Sequence, residues 1–264
     1  MPVSRAAATD VVGRLVAAGC VAAEEEADEL LTAAPDLATL EVWLQRRETG
    51  EPLAWITGAL QFCGRTLRVD RGVYVPRVQS EELARRAGTL LPMHGRALDL
   101  CTGAGAIAAH LSTRVPTATV IGIDIDIGAV MCARRNGVRA LVADLDGPLR
   151  PVREWDLVTA VAPYVPTGEV RLLPADVQRY EPRAALDGGE DGLDLVRRIV
   201  AAAGRLLRPG GWLLVELGGT QDNALTPLLA ASGFGRTDPW WDEHRDLRGL
   251  ASQATGSPGP SPLR

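Results

Sequence analysis

The sequence contains no lysine: its 28 basic residues are all arginine, set against 33 acidic residues. The resulting net charge of −5 argues against a nucleic-acid partner, because binding through phosphates requires a basic surface. A basic protein partner remains compatible with this charge. Aromatic residues make up only 4% of the chain and hydrophobic residues 46%, so we expect a core built mainly from Ala, Leu and Val.

Cysteine is also scarce, and its spacing excludes two kinds of site. The four cysteines are far apart, with no CxxC pair and no nearby histidine cluster, which predicts reduced thiols, no metal site and a cytoplasmic location. They are Cys20, Cys63, Cys101 and Cys132. No apolar run is long enough to cross a bilayer, so we expect no contact with a membrane.

Hydrophobic periodicity divides the chain into regions. Apolar residues recur at spacings of three and four through residues 8–47, which predicts helices, whereas Gln61–Arg77 alternates and carries turn glycines, which predicts a hairpin. From Arg96 onward, short apolar strands alternate with helices, and this order predicts a mostly parallel, doubly wound α/β sheet. We therefore expect four regions: a helical N-terminal domain (1–58), a hairpin linker (59–80), a catalytic domain (81–253) and a disordered tail (254–264).

A glycine-containing loop follows the first strand of the α/β region. In ALDLCTGAGAIAAHL, Gly103 and Gly105 allow the backbone to approach a ligand at the start of a helix. The segment also fits the dinucleotide pattern G-x-G-x-x-A, but Asp99 at the end of the strand would repel a pyrophosphate. It would attract an ammonium or sulfonium group, which disfavours a nicotinamide-dependent oxidoreductase.

Two further carboxylates follow the next two predicted strands. Asp124 comes after Gly105 at nearly the spacing, roughly 20 residues, at which an acid reaches ribose hydroxyls, and Asp144 can accept a bond from an adenine amino group. Each acid taken singly is also compatible with a helix N-cap or a solvated turn. The three together favour a cationic adenosyl ligand, S-adenosylmethionine.

An unusual segment ends the fourth predicted strand. The apolar run in WDLVTAVAPYVP, Trp155–Pro166, stops at a proline because proline cannot donate to a sheet ladder. Tyr164 is thereby placed between two prolines at the carboxyl end of a buried strand, on the side where ligands of such sheets bind.

Several longer motifs resemble the HemK/PrmC family, methyltransferases that act on the glutamine side-chain amide of peptide release factors. The motifs are RRETGEPLAWITGALQFCG, YVPRVQSEEL, EPRAALDGGEDGLDLVRRI and RPGGWLLVELGGTQ, and the resemblance spans nearly the whole chain. It implies a class I S-adenosylmethionine methyltransferase: a Rossmann-like, seven-stranded, mostly parallel sheet with a small helical N-terminal domain. It also implies S-adenosylmethionine as cofactor and a peptide release factor, or another protein or small molecule, as methyl acceptor.

The resemblance implies roles for individual residues. In the family, an Asn-Pro-Pro-Tyr motif accepts the amide hydrogens through the asparagine oxygen and the next carbonyl, while the tyrosine ring packs beside the substrate. The corresponding residues here are Val161, then Ala162, Pro163 and Tyr164 as the catalytic set. The implied cofactor-binding residues are Asp99, Cys101, Gly103, Gly105, Asp124, Asp144, Leu145 (packing against the base) and Val161.

The departures from the family pattern cluster near the acceptor. Val161 cannot accept a hydrogen bond, and Val78, Gln79 and Ser80 also differ from the family's linker motif. Cys101 replaces the first loop glycine, a change expected to be mild because Gly103 and Gly105 remain. We therefore expect an altered acceptor: a carboxylate, amine or hydroxyl, on a small molecule or peptide. The alternative is an inactive cofactor-binding protein, and the sequence indicates no general base.

Overall fold

The computed structural model describes residues 5–255. Its α-helices are α1 (Arg5–Ala17), α2 (Ala23–Ala33), α3 (Leu37–Glu48), α4 (Leu53–Thr57), α5 (Ser80–Leu90), α6 (Ala106–Arg114), α7 (Ile127–Arg135), α8 (Ala175–Tyr180), α9 (Asp194–Leu206) and α10 (Gln221–Ala231). Its strands are β1 (Ala59–Phe62), β2 (Arg65–Arg68), β3 (Arg96–Leu100), β4 (Thr119–Asp124), β5 (Arg139–Val142), β6 (Trp155–Ala160), β7 (Leu207–Glu216), β8 (Phe234–Trp241) and β9 (Leu247–Ala254).

The first three helices pack on one another, as their periodicity predicts. Leu15, Leu30 and Leu44 are almost completely buried in a shared cluster, so each helix contributes an apolar face to one small core. Helix α3 begins after Asp36, whose carboxylate accepts a 2.7 Å hydrogen bond from the Thr39 backbone N–H. The short α4 was not predicted, because five residues are too few to establish a helical period.

The predicted hairpin is confirmed but is shorter than the alternating pattern suggests. Strands β1 and β2 pair antiparallel, and the turn residues Cys63 and Gly64 both have positive φ, 48° and 72°. Two positive φ angles match the twist of a two-residue hairpin. The chain from Val69 to Gln79 is irregular and leads directly into α5.

The remaining strands form one seven-stranded sheet in the order β5-β4-β3-β6-β7-β9-β8. The first five are parallel, and β9 pairs antiparallel with both β7 and β8, so β8 runs in the same direction as the first five. This confirms the mostly parallel seven-stranded prediction. Because β4 and β6 lie on opposite sides of β3, the chain reverses its direction of winding there. The carboxyl ends of these three strands therefore form the crevice in which open α/β sheets bind ligands.

One predicted boundary differs from the structure. The segment RPGG was expected to form a turn between a helix and the strand WLLVEL, but α9 ends at Leu206 and β7 already begins at Leu207. The extra residues are accommodated by a register shift against β6, between Trp155 and Leu157. Within this irregular stretch Gly210 has φ +81°, and Arg208, Pro209 and Gly210 are exposed.

No helix among residues 5–255 has the length and apolar character needed to cross a bilayer. The same residues include all four cysteines, each with a free thiol. Strand β9 ends at Ala254, and the predicted disordered tail lies outside the described residues apart from its first two positions.

Candidate active site

The loop between β3 and α6 has a backbone that strongly favours glycine. Gly105 has φ +81°, and a Cβ atom added to it would lie 2.9 Å from the Ala133 Cβ and the Val138 Cγ2. Gly103 has φ +55° but faces open space, which leaves room for a ligand against its backbone. Cys101 is also left-handed, with φ +56°. The replacement of the family's glycine by Cys101 is therefore less mild than expected, since a side chain in this conformation costs about 1–2 kcal/mol.

Asp99 lies within β3 and is almost completely buried, with 1% of its surface exposed. Its carboxylate accepts hydrogen bonds from the hydroxyls of Thr102 (2.6 Å) and Thr159 (2.8 Å). Burial outweighs these bonds and raises the pKa of Asp99 to about 6. The carboxylate lines a small cavity beside the glycine loop, so a cation bound there would favour its charged form.

Asp124 ends β4 and ties the glycine loop to the next turn. One carboxylate oxygen accepts a 2.8 Å bond from the Gly103 N–H, and the other accepts a 3.0 Å bond from the Asp126 N–H. Burial raises the pKa of Asp124. Asp124 lines a cavity of about 140 Å³, the cofactor cavity, which is also lined by Cys101, Gly103, Val161 and Pro163.

Asp144 and Leu145 lie at the far end of the same crevice, two and three residues beyond β5. Both line a pocket of about 120 Å³ that also contains Cys101, Asp124 and Arg198. The Arg198 guanidinium donates to both Asp144 oxygens at 2.8 Å, a contact that the sequence did not indicate. Leu145 is buried, so its side chain forms an apolar wall of the pocket.

The segment Val161–Tyr164 continues from β6, every residue of which is buried. The Tyr164 carbonyl accepts a 2.9 Å hydrogen bond from the Gln221 side-chain amide, which also donates to the Asp191 carbonyl at 3.1 Å. Both contacts hold the backbone of this segment at a fixed position beyond the sheet.

The motif ALDGGEDGLD wraps closely around that segment, which explains its glycines. A Cβ atom on Gly188 would lie 2.6 Å from the Pro163 carbonyl oxygen, and one on Gly192 would collide with the Tyr164 carbonyl oxygen. Only residues without a side chain permit this approach. The sequence motif therefore supports the segment that ends β6.

A second, larger cavity of about 320 Å³ lies on the other side of Val161, and we call it the acceptor cavity. It is lined by Val161, Ala162 and Tyr164 together with Tyr74, Arg77, Gln79, Glu216 and Arg248. Val161 and Tyr74 also line the cofactor cavity, so the two cavities meet at these side chains.

Glu216, the last residue of β7, was not identified from the sequence. It is 3% exposed, and its Oε2 accepts a 2.6 Å hydrogen bond from the Ser80 hydroxyl. The Tyr164 phenol also faces this carboxylate, and burial raises the pKa of both groups. The signal that was available in the sequence is an acid at the end of the otherwise apolar stretch WLLVEL. This stretch belongs to the fourth strand after the one that precedes the cofactor loop.

The donor set of the cofactor cavity fits S-adenosylmethionine. Two buried or half-buried carboxylates, Asp99 and Asp124, suit a cationic ligand with ribose hydroxyls, and Gly103 leaves space against its backbone. Within residues 5–255, no three His, Cys, Asp or Glu side chains converge in a way that could hold a metal ion.

Comparisons with known proteins point to methyltransferases. A family model described as "Methyltransferase small domain" matches residues 80–148. A release factor glutamine methyltransferase of Geobacter sulfurreducens is 40% identical over 204 residues, which cover 75% of this chain and 72% of the relative. One from Neisseria gonorrhoeae is 37% identical, with 80% and 77% covered.

A solved structure with the same fold is the 16S rRNA N2 G1207 methyltransferase (RsmC) of T. Thermophilus in complex with AdoMet and guanosine. Its TM-score is 0.54 at 21% identity, and the match covers 78% of this chain but only 46% of that longer chain. At this identity the likeness concerns the fold, which is that of class I S-adenosylmethionine-dependent methyltransferases.

Proposed function

This chain belongs to the release factor glutamine methyltransferase family and is an S-adenosylmethionine-dependent methyltransferase, and we propose that it methylates a protein side chain although it lacks the family's asparagine. A peptide release factor is the first candidate acceptor. The proposed change concerns how the acceptor is held, because Val161 stands where the family's asparagine oxygen would be.

One observation carries the proposal: Val161 and Tyr74 line both the cofactor cavity and the acceptor cavity. A donor in the first cavity and an acceptor in the second would therefore face each other across these two side chains. When bound, S-adenosylmethionine supplies a methyl group on a positively charged sulfur, so no metal or covalent intermediate is needed. Alignment of the two reactants then accounts for most of the rate enhancement.

The chain's own residues divide the task of holding the two ligands. We assign Asp99 to the cationic part of the cofactor, Asp124 to its ribose, and Asp144 with Leu145 to its base. The Ala162 carbonyl offers one hydrogen-bond acceptor to the methyl acceptor, and the Tyr164 ring forms a wall beside it. The half-buried Val161 contributes an apolar surface that excludes water between the ligands.

The test is intact-mass spectrometry of a host release factor incubated with this protein and S-adenosylmethionine. We expect one added methyl group, and none when S-adenosylhomocysteine replaces the donor. Cofactor binding is measured calorimetrically in the same preparation. Cofactor binding without any added methyl would contradict the proposal for this acceptor. It would favour either a small-molecule acceptor or an inactive cofactor-binding protein, and the loss of the asparagine at Val161 is compatible with both.

A further inference from the structure

We propose that Glu216 supplies the hydrogen-bond acceptor that Val161 lacks, so that the acceptor cavity selects a group carrying N–H hydrogens. This inference rests on the proposed function, because it assumes that the methyl acceptor occupies the cavity next to Val161. It assigns a specificity-determining role to Glu216, which lies 55 positions after Val161 in the sequence.

The position of Glu216 supports this assignment. It ends β7, which lies next to β6 in the sheet, so its side chain emerges beside the segment that follows β6. It lines the same cavity as Val161 and Ala162. The Ser80 hydroxyl donates a 2.6 Å hydrogen bond to the carboxylate, which fixes its orientation in the cavity wall.

The chemistry of the carboxylate determines what it can receive. A carboxylate accepts about four hydrogen bonds, and the single bond from Ser80 leaves acceptor capacity unused. An amide or amine nitrogen carries two hydrogens, one for Glu216 and one for the Ala162 carbonyl. A carboxylate ligand offers no hydrogen and would be repelled by the charge of Glu216, so the cavity disfavours that class of acceptor.

The arginines that face Glu216 pair with other carboxylates, so the Glu216 carboxylate stays available to a ligand in the acceptor cavity. Arg77 is paired with Glu181, and Arg248 donates to Asp242 at 2.6 Å. Tyr74 and Tyr164 also face Glu216, and burial raises the pKa of both phenols, which therefore remain neutral donors. Burial raises the pKa of Glu216 as well, so methyl transfer is expected to weaken in acid at a pH above the ordinary range of glutamate.

The first experiment measures kcat/KM for the release factor in four variants. Glu216→Leu should lower it about 100-fold, as loss of a preorganised hydrogen bond does, with unchanged affinity for S-adenosylmethionine. Adding Val161→Asn to that variant should restore at least about tenfold, because the new amide oxygen replaces the missing acceptor. Glu216→Gln keeps an acceptor oxygen but not a titrating group. With S-adenosylmethionine kept saturating at every pH, so that protonation of Asp99 does not limit the rate, the acid limb of its pH profile should disappear. Ser252→Ala, a change of another buried polar residue on the neighbouring β9, is the control and should leave kcat/KM unchanged.

The second experiment tests Glu216 independently of catalysis. N-acetylglutamine amide, N-acetylornithine amide and N-acetylglutamate are compared by saturation-transfer NMR in the presence of S-adenosylhomocysteine. The wild-type protein should bind the amide or amine probe and not the carboxylate, and Glu216→Leu should lose this preference. Thermal unfolding of each variant establishes that it is folded.

The outcomes separate the two proposals. If the probes show the preference but the release factor gains no methyl, the role of Glu216 stands and the proposed protein acceptor is wrong. If the release factor is methylated equally well by wild type and by folded Glu216→Gln and Glu216→Leu, the proposed function stands and the role of Glu216 is overturned. Equal binding of all three probes to the wild type would overturn it as well.

Discussion

The hydroxyl oxygens of Thr49 and Tyr180 lie 2.9 Å apart and connect the N-terminal helices to α8. The Tyr180 hydroxyl also donates to the Thr49 carbonyl at 3.1 Å, and its ring meets the Trp55 ring edge-on at 6.5 Å. Helix α8 contributes Val177 to the wall of the acceptor cavity. The N-terminal helices therefore help to position that wall.

Removing this hydroxyl should loosen the wall without changing the cofactor cavity. Tyr180→Phe keeps the ring contact with Trp55 but loses the bonds to Thr49, which are worth about 1 kcal/mol. We expect amide hydrogen exchange in residues 174–186 to become about fivefold faster and the KM for the protein acceptor to rise by a similar factor. Hydrogen-exchange mass spectrometry measures the first effect. Thr49→Ser retains the hydroxyl and is the control, and unchanged exchange in Tyr180→Phe would show that the contact does not hold α8.

Local sequence patterns were sufficient to predict the longer N-terminal helices, the hairpin and the alternation of strand and helix, because each depends on periodicity within about ten residues. They did not predict the short α4. The glycine loop and the acids Asp99 and Asp124 were also predictable, since chain order in a parallel sheet places strand ends along one crevice. The sequence therefore predicts which residues meet along this crevice, and their role in binding the cofactor stays a prediction.

The acceptor side depends on contacts between distant parts of the chain. The bond from Ser80 to Glu216 joins residues 136 positions apart, and no local pattern indicates that they meet. On the cofactor side, the pairing of Arg198 with Asp144 likewise depends on where α9 crosses the end of the sheet. The conformation of Cys101 could not be predicted because a residue's φ angle depends on the loop as a whole.

The pKa of Asp99, raised to about 6, predicts a pH dependence of cofactor binding. A cation binds the charged carboxylate, so protonation of Asp99 competes with binding. Affinity should be constant above about pH 7 and fall by about tenfold for each pH unit below about 6. Calorimetry from pH 5 to pH 8 measures this midpoint.

Thr159 offers a way to move that midpoint. Thr159→Val removes a hydroxyl that stabilises the charged form of Asp99, so the pKa of Asp99 rises and the midpoint shifts to higher pH. Thr159→Ser retains the donor and should leave the midpoint in place. A midpoint that is the same in all three proteins would assign the titration to a group other than Asp99.

We expect Asp144 to contribute to cofactor affinity, whereas its exposed ion pair with Arg198 should contribute little to the stability of the fold. Both side chains are 55% exposed, and exposed ion pairs contribute about 0–1 kcal/mol to folding. Asp144→Ala should weaken binding of S-adenosylmethionine and S-adenosylhomocysteine equally, by about tenfold, because the adenosine group common to both loses a hydrogen-bond acceptor. Arg198→Ala removes the same ion pair but keeps that acceptor, so its affinity should stay within a few-fold of wild type. Equal losses in both variants would indicate that the ion pair, not the carboxylate, supports binding.

The left-handed conformation of Cys101 predicts that glycine is the more stable residue at this position. Its φ of +56° crowds a Cβ atom against the following carbonyl, which costs about 1–2 kcal/mol, whereas glycine has no Cβ atom. Glycine also has a larger backbone entropy in the unfolded state, which offsets about 0.4–1 kcal/mol of this gain. Cys101→Gly and Cys101→Ala both remove the sulfur, so their difference isolates the backbone effect. Urea unfolding should show the glycine variant more stable than the alanine variant by about 1 kcal/mol, and an alanine variant of equal or greater stability would show that the loop is not strained at this residue.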